Sequence, residues 1–189
     1  MSKHVRTDYI RHLIGALFLS TLSLFSGCTS TEPQHPAAIA SAHPLATRAG
    51  MEILEAGGNA FDAAVAVSAA LAVVEPYGSG LGGGGFWLLH RAEDGFEVMI
   101  DGRERAPLAA HRNMYLDDTG NVVPGLSVDG ALAAGIPGEP AALVHIADSY
   151  GRLPLSESLA PAIRLARSGF TADAHYLRMA GFRRDALSS

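Results

Sequence analysis

Residues 60–74, AFDAAVAVSAALAVV, predict a helix with apolar side chains on nearly every face. Such a helix cannot lie on a surface. It needs partner layers on more than one side, and its alanines let neighbouring backbones approach closely. Asn59 is placed to cap its start, and Asp62, three residues on, completes a short version of the capping box and puts a negative charge near the helix N-terminus. Capping accounts for Asp62 better than catalysis does.

The helix runs into GSGLGGGGF, residues 78–86, with six glycines in nine positions. Gly80, Gly82 and Gly85 satisfy the G-x-G-x-x-G pattern of dinucleotide sites, which requires a strand before the glycines and a helix after them. Here the order is reversed: a helix precedes, and FWLLHR, an aromatic and aliphatic strand pattern, follows. No Lys-Ser or Lys-Thr follows the glycines, and Ser79 stands in G-S-G rather than in a nucleophile elbow. The stretch reads as a hinge between helix and strand.

AAIASA, residues 37–42, is a short candidate strand ended by His43 and Pro44. Pro44 suits the first position of a helix. Leu45, Ala49, Ile53 and Leu54 then recur at helical spacing, with Arg48, Glu52 and Glu55 on the other side and a stop at Gly57 and Gly58. FWLLHR and FEVMID flank AEDG and predict an antiparallel hairpin, in which Phe96, Val98 and Ile100 alternate with Glu97, Met99 and Asp101. Two more helices are predicted over 137–150 and 156–168, the second ended by Gly169. Ser158 as its N-cap would place Pro161 in the first turn, where a missing N–H costs nothing.

The chain opens MSKHVRTDYIRHLIGALFLSTLSLFSGC. Lys3, Arg6 and Arg11 precede an apolar run too short to span a bilayer, so residues 1–27 read as an export signal. Cys28, the one cysteine in the chain, stands where that signal ends. The junction resembles a bacterial lipobox, with Phe25 in place of the usual Leu, which implies a lipidated Cys28 as the mature N-terminus. The alternative is an ordinary secretory signal cut nearby. Residues 28–36, polar and with two prolines, suit a flexible tether. Thr29 rather than Asp after the cysteine, by the same resemblance, directs the lipoprotein to the periplasmic side of the outer membrane in a Gram-negative host. The formal net charge is −5, and loss of residues 1–27 leaves the body more acidic still. That balance, with no Lys/Arg cluster in the body, excludes nucleic acid as a partner.

Three blocks in order, ASAHPLATRAGMEILEAGGNAFDAAVAVSAALAVVEPYGSGLGGGGFWLLH, then IDGRERAP, then GALAAGIPGEPAALVHIADSYGRLPLSESLAPAIRLARSGF, resemble the N-terminal part of a gamma-glutamyltranspeptidase large subunit, over about residues 37–170. The resemblance implies an N-terminal nucleophile hydrolase fold, an αββα sandwich that is incomplete here, with residues 37–189 forming part of the large subunit. It also implies a precursor that cuts itself into two subunits. The threonine freed at the start of the small subunit attacks a gamma-glutamyl amide with its own α-amino group as base, and water or an acceptor amino acid or peptide then takes the glutamyl group. Glutathione and other gamma-glutamyl compounds are the implied substrates, the small subunit of the same precursor the implied partner, and no metal or organic cofactor is implied.

In the D-G-R-E-x-A-P block the family's substrate-binding arginine falls on Arg103. A glutamyl α-carboxylate calls for a planar, permanently charged, bidentate donor. On charge pattern alone, Arg103 could instead simply pair with Asp101 or Glu104. Arg105 has no family support and reads as a solvated charge. The family's threonine-rich nucleophile block has no counterpart: Thr29 and Thr31 lie in the tether, and Thr47, Thr119 and Thr171 stand in unrelated contexts. No catalytic residue is therefore assigned. His43, His90, His145 and His175 lack metal-ligand spacing and read as structural or solvated. Two other readings remain open: a related acylase for glutaryl or polyglutamyl substrates, and a non-catalytic lipoprotein that binds gamma-glutamyl groups.

Overall fold

The computed structural model describes residues 37–185. The expected export signal, Cys28, the expected tether and residues 186–189 lie outside the described residues.

Helix α1, Pro44–Glu55, starts as its sequence dictates: Pro44 is the first helical residue, and the Nδ1 of His43 accepts the Leu45 N–H at 3.1 Å. It ends in a Schellman motif, with Gly58 N–H bonded to Ile53 O, Gly57 N–H bonded to Leu54 O, and Gly57 at φ 95°, a conformation that glycine alone adopts cheaply. Helix α2, Ala60–Val74, carries the full capping box between Asn59 and Asp62.

The partners demanded by the all-round apolar surface of α2 are present. One face meets α1 and helix α4, Leu155–Ser168, through Ala46, Ala49, Ala69, Ala70 and Ala162, and these small side chains bring the three backbones together. A second face, at Val65, meets helix α3, Glu139–Tyr150, through Leu143, Ile146 and Ala147. The same cluster takes in the hairpin of β1, Gly85–Arg91, and β2, Phe96–Gly102. In its antiparallel register Trp87 opposes Ile100 and Leu89 opposes Val98, all four on the face against the helices. The opposite face holds the pairs Phe86–Asp101, Leu88–Met99 and His90–Glu97 and is exposed, Leu88 at 81%. Arg91 and Asp94 clasp the hairpin turn, and that bond holds the Asp94 carboxyl down at about 2. A 3-10 turn at Ala131–Ala133 interrupts the long connection from β2 to α3.

Three sequence expectations are corrected. Residues 37–42 form no strand with any other described residue. The segment is extended, with residues 37, 39 and 41 half-buried and the residues between them exposed, and it lies with Ile39 against Gly50 and Val67. Helix α3 starts at Glu139, where the N–H groups of Gly138 and Glu139 are held by the Gly83 carbonyl of the glycine connection. Helix α4 starts at Leu155, with Pro154 as its N-cap residue, so Pro161 lies in the helix interior, where it offers no N–H to the carbonyl of Glu157. What outweighs that loss is packing: Ser158, Pro161, Ala162 and Leu165, at helical spacing, form the stripe that α4 turns toward its neighbours. A further helix, α5, Ala174–Gly181, has no counterpart among the expectations. Asp173 caps it, and Tyr176 is set edge-on to Tyr77 and Phe170.

Candidate functional site

Three stretches that are distant in sequence meet at the end of β2. The N–H groups of Gly138 and Glu139, at the start of α3, both donate to the carbonyl of Gly83, at 3.0 and 3.2 Å. A Cβ on Gly84 would stand 2.6 Å from Glu104 N and Gly102 O and 2.7 Å from Arg103 Cα, and one on Gly138 would run into the carbonyls of Gly102 and Arg103. Here, then, the glycines of the hinge permit backbone to lie directly on backbone. Arg105 adds a clamp: its N–H donates to Ile136 O at 3.0 Å, and Ile136 N–H donates back at 2.7 Å, an isolated antiparallel bridge. Residues 103–105 thus have a fixed, extended course.

That course borders a groove of about 350 Å³ between the end of β2 and α3, lined by Asp101, Arg103, Arg105, Ile136, Ala141 and His145 among others. The Arg103 N–H donates to Asp101 Oδ1 at 3.0 Å, so this carboxylate holds the main chain rather than the guanidinium. The guanidinium Nε stands 3.6 Å from Glu104 Oε1, beyond hydrogen-bond distance, with both side chains substantially exposed. An ion pair of that kind is worth little and leaves the guanidinium edge available to a ligand. Of the simple pairings open at the sequence level, the one with Asp101 is not made by the side chain, and the one with Glu104 is loose.

Two further residues of the groove escaped the sequence reading. Arg105, expected as a solvated charge, is exposed and also lines the groove. The signal was its spacing: on an extended segment residues two apart share a side. Glu104, between the two arginines, lies instead beside Gly135, whose Cβ position is 3.2 Å from Glu104 Cγ. His145 stands on the α3 wall, with Nδ1 3.3 Å from Ser149 Oγ. Nearby, Glu139 is buried in the first turn of α3, and burial pushes its carboxyl above the ordinary range.

The remaining candidates are placed elsewhere. His43 caps α1, His90 pairs with Glu97 across the hairpin, and His175 packs on Tyr77. Thr47 is bonded to Ser41 at 2.7 Å, Thr119 to Asp117 at 2.7 Å, and Thr171 is exposed before α5, so none of these threonines lines the groove.

Residues 46–189 match the gamma-glutamyltranspeptidase family. The glutathione hydrolase proenzyme of Pseudomonas sp. strain A14 is 47% identical over 132 residues, 70% of this chain and 23% of that protein. Among solved structures, the gamma-glutamyltranspeptidase of Helicobacter pylori superposes with a TM-score of 0.75 at 47% identity, covering 79% of this chain and 42% of that one. The cephalosporin acylase of Bacillus halodurans superposes with a TM-score of 0.67 at 31% identity, covering 87% of this chain and 31% of that one. The chain spans about a quarter of the length of the curated relatives it matches.

Proposed function

Since the chain belongs to the gamma-glutamyltranspeptidase family, we propose that it is the N-terminal portion of the large subunit of a precursor that cleaves gamma-glutamyl amides, and that Arg103 binds the glutamyl α-carboxylate. The described residues hold part of the N-terminal nucleophile hydrolase fold, one helix layer and a hairpin packed on it. The observation that carries the proposal is the setting of Arg103: a rigid main chain, a groove in front, and a guanidinium held only by a loose, solvent-exposed pair with Glu104 at 3.6 Å. The reaction runs through a threonine outside this chain. Its hydroxyl adds to the gamma-glutamyl carbonyl, its proton passes by way of the α-amino group to the departing amine, and water or an acceptor amine then releases the glutamyl group.

Turnover of a gamma-glutamyl anilide by the whole precursor tests this. Arg103→Ala and Arg103→Lys should both weaken substrate binding by roughly 1.5 to 3 kcal/mol, because the lysine cannot reproduce a bidentate, charge-assisted pair. A lysine variant with an unchanged KM would reject the carboxylate role. The chain on its own should give no turnover.

A glutaryl or polyglutamyl acylase is the second reading, supported by the likeness to the cephalosporin acylase. Relative kcat/KM for glutaryl and gamma-glutamyl anilides separates out a glutaryl acylase, which does not need the α-amino and α-carboxylate groups, and turnover of a gamma-linked polyglutamate against glutathione separates out a polyglutamyl one. The proposal extends to the N-terminus. Residues 1–27 direct export, Cys28 carries lipid, and the protein is held at the periplasmic face of a membrane, the outer one in a Gram-negative host. Fatty-acid labelling that survives Cys28→Ser would overturn this.

A further inference from the structure

The groove beside Arg103 has more positive charge than one carboxylate requires. Arg105 lines it as a second permanent charge from the same extended segment, while the one carboxylate among the lining residues, that of Asp101, already accepts the Arg103 N–H, and Glu104 pairs only loosely with Arg103. The direction of Arg105 is set by structure. Its main chain is bonded to Ile136 in both directions, and the two-residue alternation of an extended chain puts its side chain on the side of Arg103 and opposite to that of Glu104. Two guanidinium groups on one wall give the groove a positive field that favours anions. Ile100 and Ala142 supply an apolar lining beneath them.

We infer that Arg105 is a second carboxylate-binding residue of this groove and selects gamma-glutamyl compounds that carry another anionic group beyond the glutamyl α-carboxylate, such as gamma-glutamyl peptides with a free C-terminus. His145 supplies a hydrogen-bond donor to that second group from the α3 wall. The inference rests on the proposed role of Arg103 and names the substrate class of the same site.

The test compares two substrates in the whole precursor: a gamma-glutamyl anilide, with one carboxylate, and glutathione, with two. Arg105→Gln should lower kcat/KM for glutathione roughly tenfold, the weight of one hydrogen-bonded charge pair partly open to water, and leave the anilide within about twofold. Arg105→Glu should widen the gap, and Arg103→Ala should impair both substrates alike. For the Arg105 variants anilide turnover doubles as the check of folding, and for Arg103→Ala the thermal unfolding midpoint serves instead. Equal loss on both substrates, or none on either, overturns the role of Arg105 and leaves that of Arg103 standing. Absence of turnover of either substrate by the unmodified precursor overturns both.

Discussion

The Oδ2 of Asp62, in the first turn of α2, lies 2.9 Å from the backbone nitrogen of Arg152, ninety residues further along the chain. The same oxygen accepts the Asn59 N–H at 2.8 Å, and Asn59 Nδ2 donates in turn to Tyr150 O at 2.7 Å. One buried carboxylate therefore caps α2 and fastens the turn between α3 and α4. Asp62→Asn keeps the shape but turns an amide N–H₂ toward backbone donors. It should cost about 3 kcal/mol, read as a fall in unfolding midpoint of the precursor, and Asn59→Ala about 1 kcal/mol.

Glu139 should act in the opposite sense. Burial raises its folded-state pKa, so the folded state favours the protonated acid. Below the unfolded pKa this acid imposes no penalty. The penalty grows as pH rises from the unfolded pKa to the folded one and is complete above it. Glu139→Gln should therefore raise stability at neutral pH and leave it little changed at pH 4, which thermal unfolding at the two pH values measures. A variant less stable than the parent at neutral pH would show that the carboxylate has a partner that burial alone does not describe.

Ser158 Oγ is fully buried, with no hydrogen-bond partner among the described residues, on the face of α4 that meets the helix layer. Ser158→Ala removes a desolvated hydroxyl at almost no cost in volume and should stabilise the protein by about 1 kcal/mol.

The glycines of the hinge should separate by position. Gly84 faces backbone, so Gly84→Ala must push residues 102–104 away and should reduce both stability and anilide turnover. Gly82 has no atom of the described residues within 4 Å of its Cβ position and no left-handed φ, so Gly82→Ala should leave the fold unchanged. Parallel thermal and kinetic measurements on the two variants decide it.

Local chemistry made much of this legible in the sequence. The His43–Pro44 and Asn59–Asp62 starts, the Gly57–Gly58 stop and the alternation of β2 are short-range devices, and each appears where its residues put it. What escaped depends on contacts across the chain. Pro161 looks like a first-turn residue until the stripe on α4 that meets α1 and α2 is known, and residues 37–42 have strand character without a strand beside them among the described residues. Arg103 was reachable through its sequence block. Arg105 had a signal in its two-residue spacing from Arg103, but the groove it shares with His145 exists only once Ile136 pairs with Arg105 and α3 packs beside β2.

The seating of α4 against both α1 and α2 also makes one core out of distant stretches of chain. Helices α1 and α2 are neighbours in sequence, but the layer they form is completed only by α4, after the whole hairpin and the long connection to α3. Closing that contact spans a long loop whose entropy opposes it, so folding of this layer is governed by a non-local step.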